Sequence, residues 1–99
     1  MIIRIVKMVF QHDKISDFLE IFNNSKPRIL KSEGCRLVEL RINNVKSTEF
    51  FTISHWDHEN YLDSYRNSDL FKNTWNETKK LFSEKPIAWT LIDIDNNKL

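Results

Sequence analysis

The sequence predicts an α+β domain of order β-α-β-β-α-β, with its four strands in one antiparallel sheet. Three observations carry that expectation. Two-residue alternation recurs in four segments, near residues 2–11, 35–42, 48–56 and 87–94. Apolar residues at helical spacing fill the long intervals after the first and third of these segments. Between the second and third lies the polar run Asn43-Asn44-Val45-Lys46-Ser47, which suits a hairpin turn.

The first strand places Ile2, Val6, Met8 and Phe10 on one face and Ile3, Ile5 and Val9 on the other, so both faces are apolar. Asp13 is the expected N-cap of the helix that follows, whose stripe is Ile15, Phe18, Leu19, Phe22, Ile29 and Leu30. Pro27 falls within it and is expected to bend its last turns. Gly34, the sole glycine, follows at the point where a left-handed cap is needed. Cys35 to Ile42 and Thr48 to Trp56 form the hairpin strands. Asp57 is expected to cap a short helix carrying Tyr61, Leu62 and Tyr65, and Ser68 a longer one carrying Leu70, Phe71, Trp75, Thr78, Leu81 and Phe82. Pro86 ends that helix, Ile87 to Ile94 is the last strand, and residues 1–95 make one domain with a frayed tail at 96–99. This order is the ferredoxin-like arrangement. Its helices cover one sheet face, so the second apolar face is expected to pair with another copy as a dimeric α/β barrel.

Composition removes several function classes. The 99 residues are 40% apolar and 12% aromatic, which is a folded domain rather than a disordered chain. A net charge of +1 with dispersed Lys and Arg gives no basic footprint for nucleic acid. The third strand also lacks the Lys/Arg-Gly-aromatic pattern of the RNA-binding module of this topology, having Ser47-Thr48-Glu49-Phe50-Phe51 instead. One glycine excludes glycine-rich phosphate loops and the dinucleotide fingerprint. One cysteine, Cys35, excludes an internal disulfide and a multi-cysteine metal cage, and it reads as a small buried residue rather than a nucleophile. Charges interrupt the N-terminal apolar run, and no segment approaches the roughly 20 apolar residues of a membrane span. A cytoplasmic protein with no membrane partner is expected.

The segment Phe50-Phe51-Thr52-Ile53-Ser54-His55-Trp56, followed by Tyr61, Tyr65-Arg66, Ser68 and Phe71, resembles the antibiotic biosynthesis monooxygenase family. The Lys31-Ser32-Glu33-Gly34-Cys35 crossing is similar to that family's as well, and the resemblance spans nearly the whole chain. It implies a homodimer with a pocket between sheet and helices in each subunit. It also implies oxidation of a phenol or quinol by dioxygen with no metal or flavin, because an electron-rich phenolate can itself reduce oxygen. The protein then positions the substrate, favours its anion and excludes water.

The candidate catalytic residues are Tyr65 and His55, and the candidate substrate-binding residues are Trp56, Phe71 and Trp75. Phe71 and Trp75 lie on an apolar helical stripe, which favours core packing over ligand contact, and with both sheet faces apolar the facing of Trp56 and His55 stays open. No cofactor and no metal are expected. His55-x-x-His58 offers two ligands on different elements with no third beside them. Ser54, His55 and Asp57 have the residue types of a hydrolase triad, but strand neighbours point to opposite faces. Arg4, Arg36 and Arg41 can reach either a pocket or a dimer rim.

The departures from the family point another way. Members carry His at the positions of Tyr65 and Leu70, and the haem-degrading relatives carry their axial His where Trp75 stands and their first-strand Asn near Ile3. Haem degradation is therefore not expected. The alternative function is a binding or structural dimer that kept the fold and lost the chemistry.

Overall fold

The computed structural model describes residues 1–45 and 48–94. Lys46 and Ser47 of the expected turn, Asp95 and the expected tail at 96–99 lie outside them. The elements are β1 (Ile2–Val9), a 3₁₀ turn (His12–Lys14), α1 (Ile15–Leu30), β2 (Cys35–Ile42), β3 (Glu49–Trp56), α2 (Glu59–Arg66), α3 (Asp69–Lys79) and β4 (Ile87–Ile92). The sheet order is β2-β3-β1-β4 with every pairing antiparallel, which is the ferredoxin-like α+β fold.

Register and burial settle which residues share a face. Phe50, Thr52, Ser54 and Trp56 of β3 pair with Met8, Val6, Arg4 and Ile2 of β1, and all lie beneath the helices. Phe18, Phe22 and Ile29 of α1 and Leu62 of α2 close over them. At one end Phe10 stacks on Phe18 with centroids 4.1 Å apart and meets Phe50 and Phe82 at 5.8 and 5.4 Å. The opposite sheet face carries Ile3, Ile5, Phe51, Ile53, Leu37, Trp89 and Leu91, and no helix among the described residues covers it. Trp89 and Leu91 on the edge strand β4 remain 41% and 46% exposed. No helix among the described residues is long and apolar enough to cross a membrane.

Several local expectations are corrected. Asp13 does not cap α1, because it lies inside the 3₁₀ turn and α1 begins with no side-chain cap. Asp57 does not cap α2 either. Its carboxylate takes three hydrogen bonds of 2.6–3.0 Å from Arg36, which hold it below the usual carboxylate range. His58 caps α2 instead, its Nδ1 accepting from the Asn60 amide at 3.0 Å. Leu30 of the predicted stripe is exposed. Phe82 lies beyond α3, in an isolated bridge with Phe10, because α3 stops at Lys79 well before Pro86. The last strand ends at Ile92 rather than Ile94.

Two expectations hold in detail. Ser68 caps α3 by accepting from the Phe71 amide at 3.2 Å. Gly34 has φ +79°, the left-handed conformation that costs a glycine nothing. The Gly34 carbonyl also accepts from the Asp57 amide at 2.8 Å, tying the α1–β2 crossing to the end of β3.

Candidate functional site

A cavity of about 360 Å3 opens between the helix-covered sheet face and the three helices. Its floor comes from β1 and β3, where Arg4, Thr52 and Ser54 interrupt a face otherwise made of core residues. Its wall comes from α2 and α3, which bring Tyr65, Phe71 and Trp75 together. Tyr65 meets Phe71 edge-on at 5.3 Å, and Phe71 stacks on Trp75 at 5.9 Å and 11°. Such a wall suits a flat aromatic ligand, and the volume lies within the roughly 300–1,000 Å3 of small-molecule sites.

The five sequence-predicted site residues separate. Tyr65, Phe71 and Trp75 line the cavity. Trp56 does not. It is fully buried on the same sheet face, behind Tyr65, with the rings stacked at 5.0 Å and 26° and its indole N–H donating to Ser54 Oγ at 2.9 Å. His55 is not a cavity residue either. Strand alternation turns it to the uncovered face, where it pairs with Ile3 and Leu37. The candidate catalytic His55 therefore lies outside the cavity. Of the arginines, Arg4 reaches the cavity, whereas Arg36 and Arg41 pair with Asp57 and Glu39.

Sequence reasoning did not name Thr52, Ser54 or Arg66 as pocket residues. The first two had a readable signal, since small polar residues stand in phase with Phe50 and Trp56 on a face meant for the core. Arg66 gave none, because a charged residue at a helix end is ordinarily solvated.

Among the described residues the lining contains hydrogen-bond donors and cations but no Asp, Glu, His or Cys. Burial pushes the Tyr65 phenol up to about 12, with the nearby Cys35 adding to the shift. The phenol is therefore protonated throughout the neutral range. Ser54 accepts from Trp56 and keeps its own proton to donate. Thr78 spends its hydroxyl on the Thr74 carbonyl at 2.7 Å, a bond internal to α3.

The family model for antibiotic biosynthesis monooxygenase matches residues 1–76. The chain belongs to this family. The antibiotic biosynthesis monooxygenase fold is also what solved structures share with it. A conserved protein from Methanosarcina mazei Go1 matches with a TM-score of 0.86 and 21% identity, over 92% of this chain and 91% of that one. A crystal structure described as an antibiotic biosynthesis monooxygenase matches with a TM-score of 0.88 and 13% identity, over 96% and 100%. A Mycobacterium tuberculosis protein matches with a TM-score of 0.87 and 17% identity, over 96% of each chain. At these identities the likeness concerns the fold. No curated protein matches the sequence.

Proposed function

We propose that the chain is a monooxygenase that oxidises an aromatic, quinol-type molecule with dioxygen and needs no metal or flavin. The observation that carries this is the lining of the cavity: an aromatic wall facing donors and cations, with no titratable base. Such a site cannot abstract a proton with a carboxylate or an imidazole. It can hold a flat ring, stabilise negative charge on it and keep water away. An ionised phenol or enol is electron-rich enough to reduce dioxygen directly. One oxygen atom enters the ring system, and the other leaves as water with two hydrogens from the substrate, so the substrate supplies both electrons. Tyr65 donates to the developing oxyanion, Phe71 and Trp75 position the ring, and Trp56 supports Tyr65 from behind.

The test is oxygen uptake by the purified chain with hydroquinones, anthrones and naphthols, chelator being present throughout. Saturable uptake is expected, and Tyr65→Phe should lower kcat by roughly 10²-fold, as loss of one oxyanion donor does elsewhere. The ring stack survives that change, so an unaltered rate would remove Tyr65 from the mechanism. Uptake no faster than the uncatalysed background would favour the second reading, a non-catalytic small-molecule-binding dimer. Tyr65 and Leu70, standing at the family's histidine positions, support that second reading.

We further propose a homodimer formed by pairing the uncovered sheet faces, because Ile5, Ile53 and Trp89 together make an apolar surface too large to leave in water. Sedimentation should give a mass near twice 11.9 kDa. A stable monomer at micromolar concentration would refute it.

A further inference from the structure

The aromatic wall explains how a ring is held, but it leaves two cavity residues without a role. Arg4 on β1 and Arg66 at the end of α2 both line the cavity. Among the described residues neither makes an ion pair, although Arg36 and Arg41 each find a carboxylate. Arg4 is half-buried and donates one hydrogen bond, from Nη1 to Thr90 Oγ1 at 2.7 Å. A guanidinium carries five N–H donors in a planar fork and stays charged in proteins, so most of its capacity is uncommitted. Two cations facing one partly desolvated space repel each other, and burial together with the Arg66 charge lowers Arg4 from its ordinary value. Among the described residues the lining holds no Asp or Glu to offset that repulsion.

We propose that Arg4 and Arg66 form an oxyanion subsite, so that the cavity takes an aromatic molecule bearing an ionised oxygen group, a carboxylate or a phenolate. This rests on the reading that the cavity is the substrate site, and it narrows the substrate class within it. The floor arginine and the helix-end arginine set the position of the anionic end, while Phe71 and Trp75 hold the ring. A neutral polycyclic molecule would fill the aromatic part and leave both charges unmatched.

The experiment is calorimetric titration of the 99-residue chain with naphthoate, naphthol and naphthylmethanol, three ligands of similar size and different charge. Naphthoate should bind roughly tenfold or more tightly than neutral naphthylmethanol, the value of a charge-assisted hydrogen bond. That preference should fall towards unity in Arg4→Gln and in Arg66→Gln, and persist in Arg28→Gln on the outer side of α1. Naphthol titrated below and above its own ionisation separates the two sources. Tightening upon ionisation assigns a phenolate, and a preference confined to naphthoate assigns a carboxylate. Arg66 is exposed, so Arg66→Gln keeps the test alive if Arg4→Gln does not fold. Equal binding of all three ligands would overturn the subsite yet leave the aromatic cavity standing, and so would an anion preference that survives both substitutions. Failure of oxygen uptake would not alter these affinities, so the two proposals fail separately.

Discussion

Trp56→Ala should lower the unfolding free energy by about 3–5 kcal/mol, the usual cost of emptying a fully buried aromatic site. Against a total of about 5–15 kcal/mol for a domain, that is enough to leave much of the protein unfolded at moderate temperature. The indole is wholly enclosed, stacks on Tyr65 and donates to Ser54. Its removal opens a void behind the cavity wall and deprives Ser54 of its partner. Trp56→Phe keeps most of the packing and loses the hydrogen bond, so it should cost about 1–2 kcal/mol. Urea titrations at one protein concentration measure both. A Trp56→Ala midpoint close to wild type would mean that the wall collapses onto the void, and that Tyr65 is less fixed than its stacking implies.

Gly34→Ala should be nearly as damaging, at about 2–5 kcal/mol, from two sources that can be separated. A left-handed φ of +79° costs an L-residue about 1–2 kcal/mol. An added Cβ would also fall within the Tyr61 ring and 2.7 Å from the Tyr61 Cβ, so rotating that ring cannot relieve the clash. Such overpacking adds about 1–3 kcal/mol. Tyr61 lies on α2 with Tyr65 and Arg66, so the displacement should reach the cavity as well as the core. Combining Gly34→Ala with Tyr61→Ala tests the division in a double-mutant cycle. Strictly additive losses would show that the clash is absent and only the backbone conformation matters.

Much of this fold was legible because its signals are local. The Cys35–Ile42 strand, the Ser68 cap and the left-handed Gly34 each follow from a few neighbouring residues whose chemistry admits one arrangement. Of the two helix caps that failed, Asp13 lost its role to a local 3₁₀ turn and Asp57 to a long-range contact. Asp57 is as good a cap as His58 by type, but Arg36 on another strand claims its carboxylate. Phe82 continues a helical stripe in sequence, yet Phe10 holds it in a bridge beyond the helix end.

The site divides along the same line. Tyr65 on the short helix and Phe71 and Trp75 on the stripe of the longer one were visible as aromatics, and the cavity brings them together. His55 and Trp56 are strand neighbours, so the sequence by itself determined that they lie on opposite faces. It did not determine which face the helices cover, because β1 and β3 are apolar on both sides. Helix packing made that choice, burying Trp56 behind Tyr65 and leaving His55 on the uncovered face. The pairing of Arg4 with Arg66 likewise belongs to tertiary structure alone. Periodicity describes only residues on one element, and these two line one cavity because α2 packs against β3, the neighbour of the β1 strand where Arg4 breaks an apolar face.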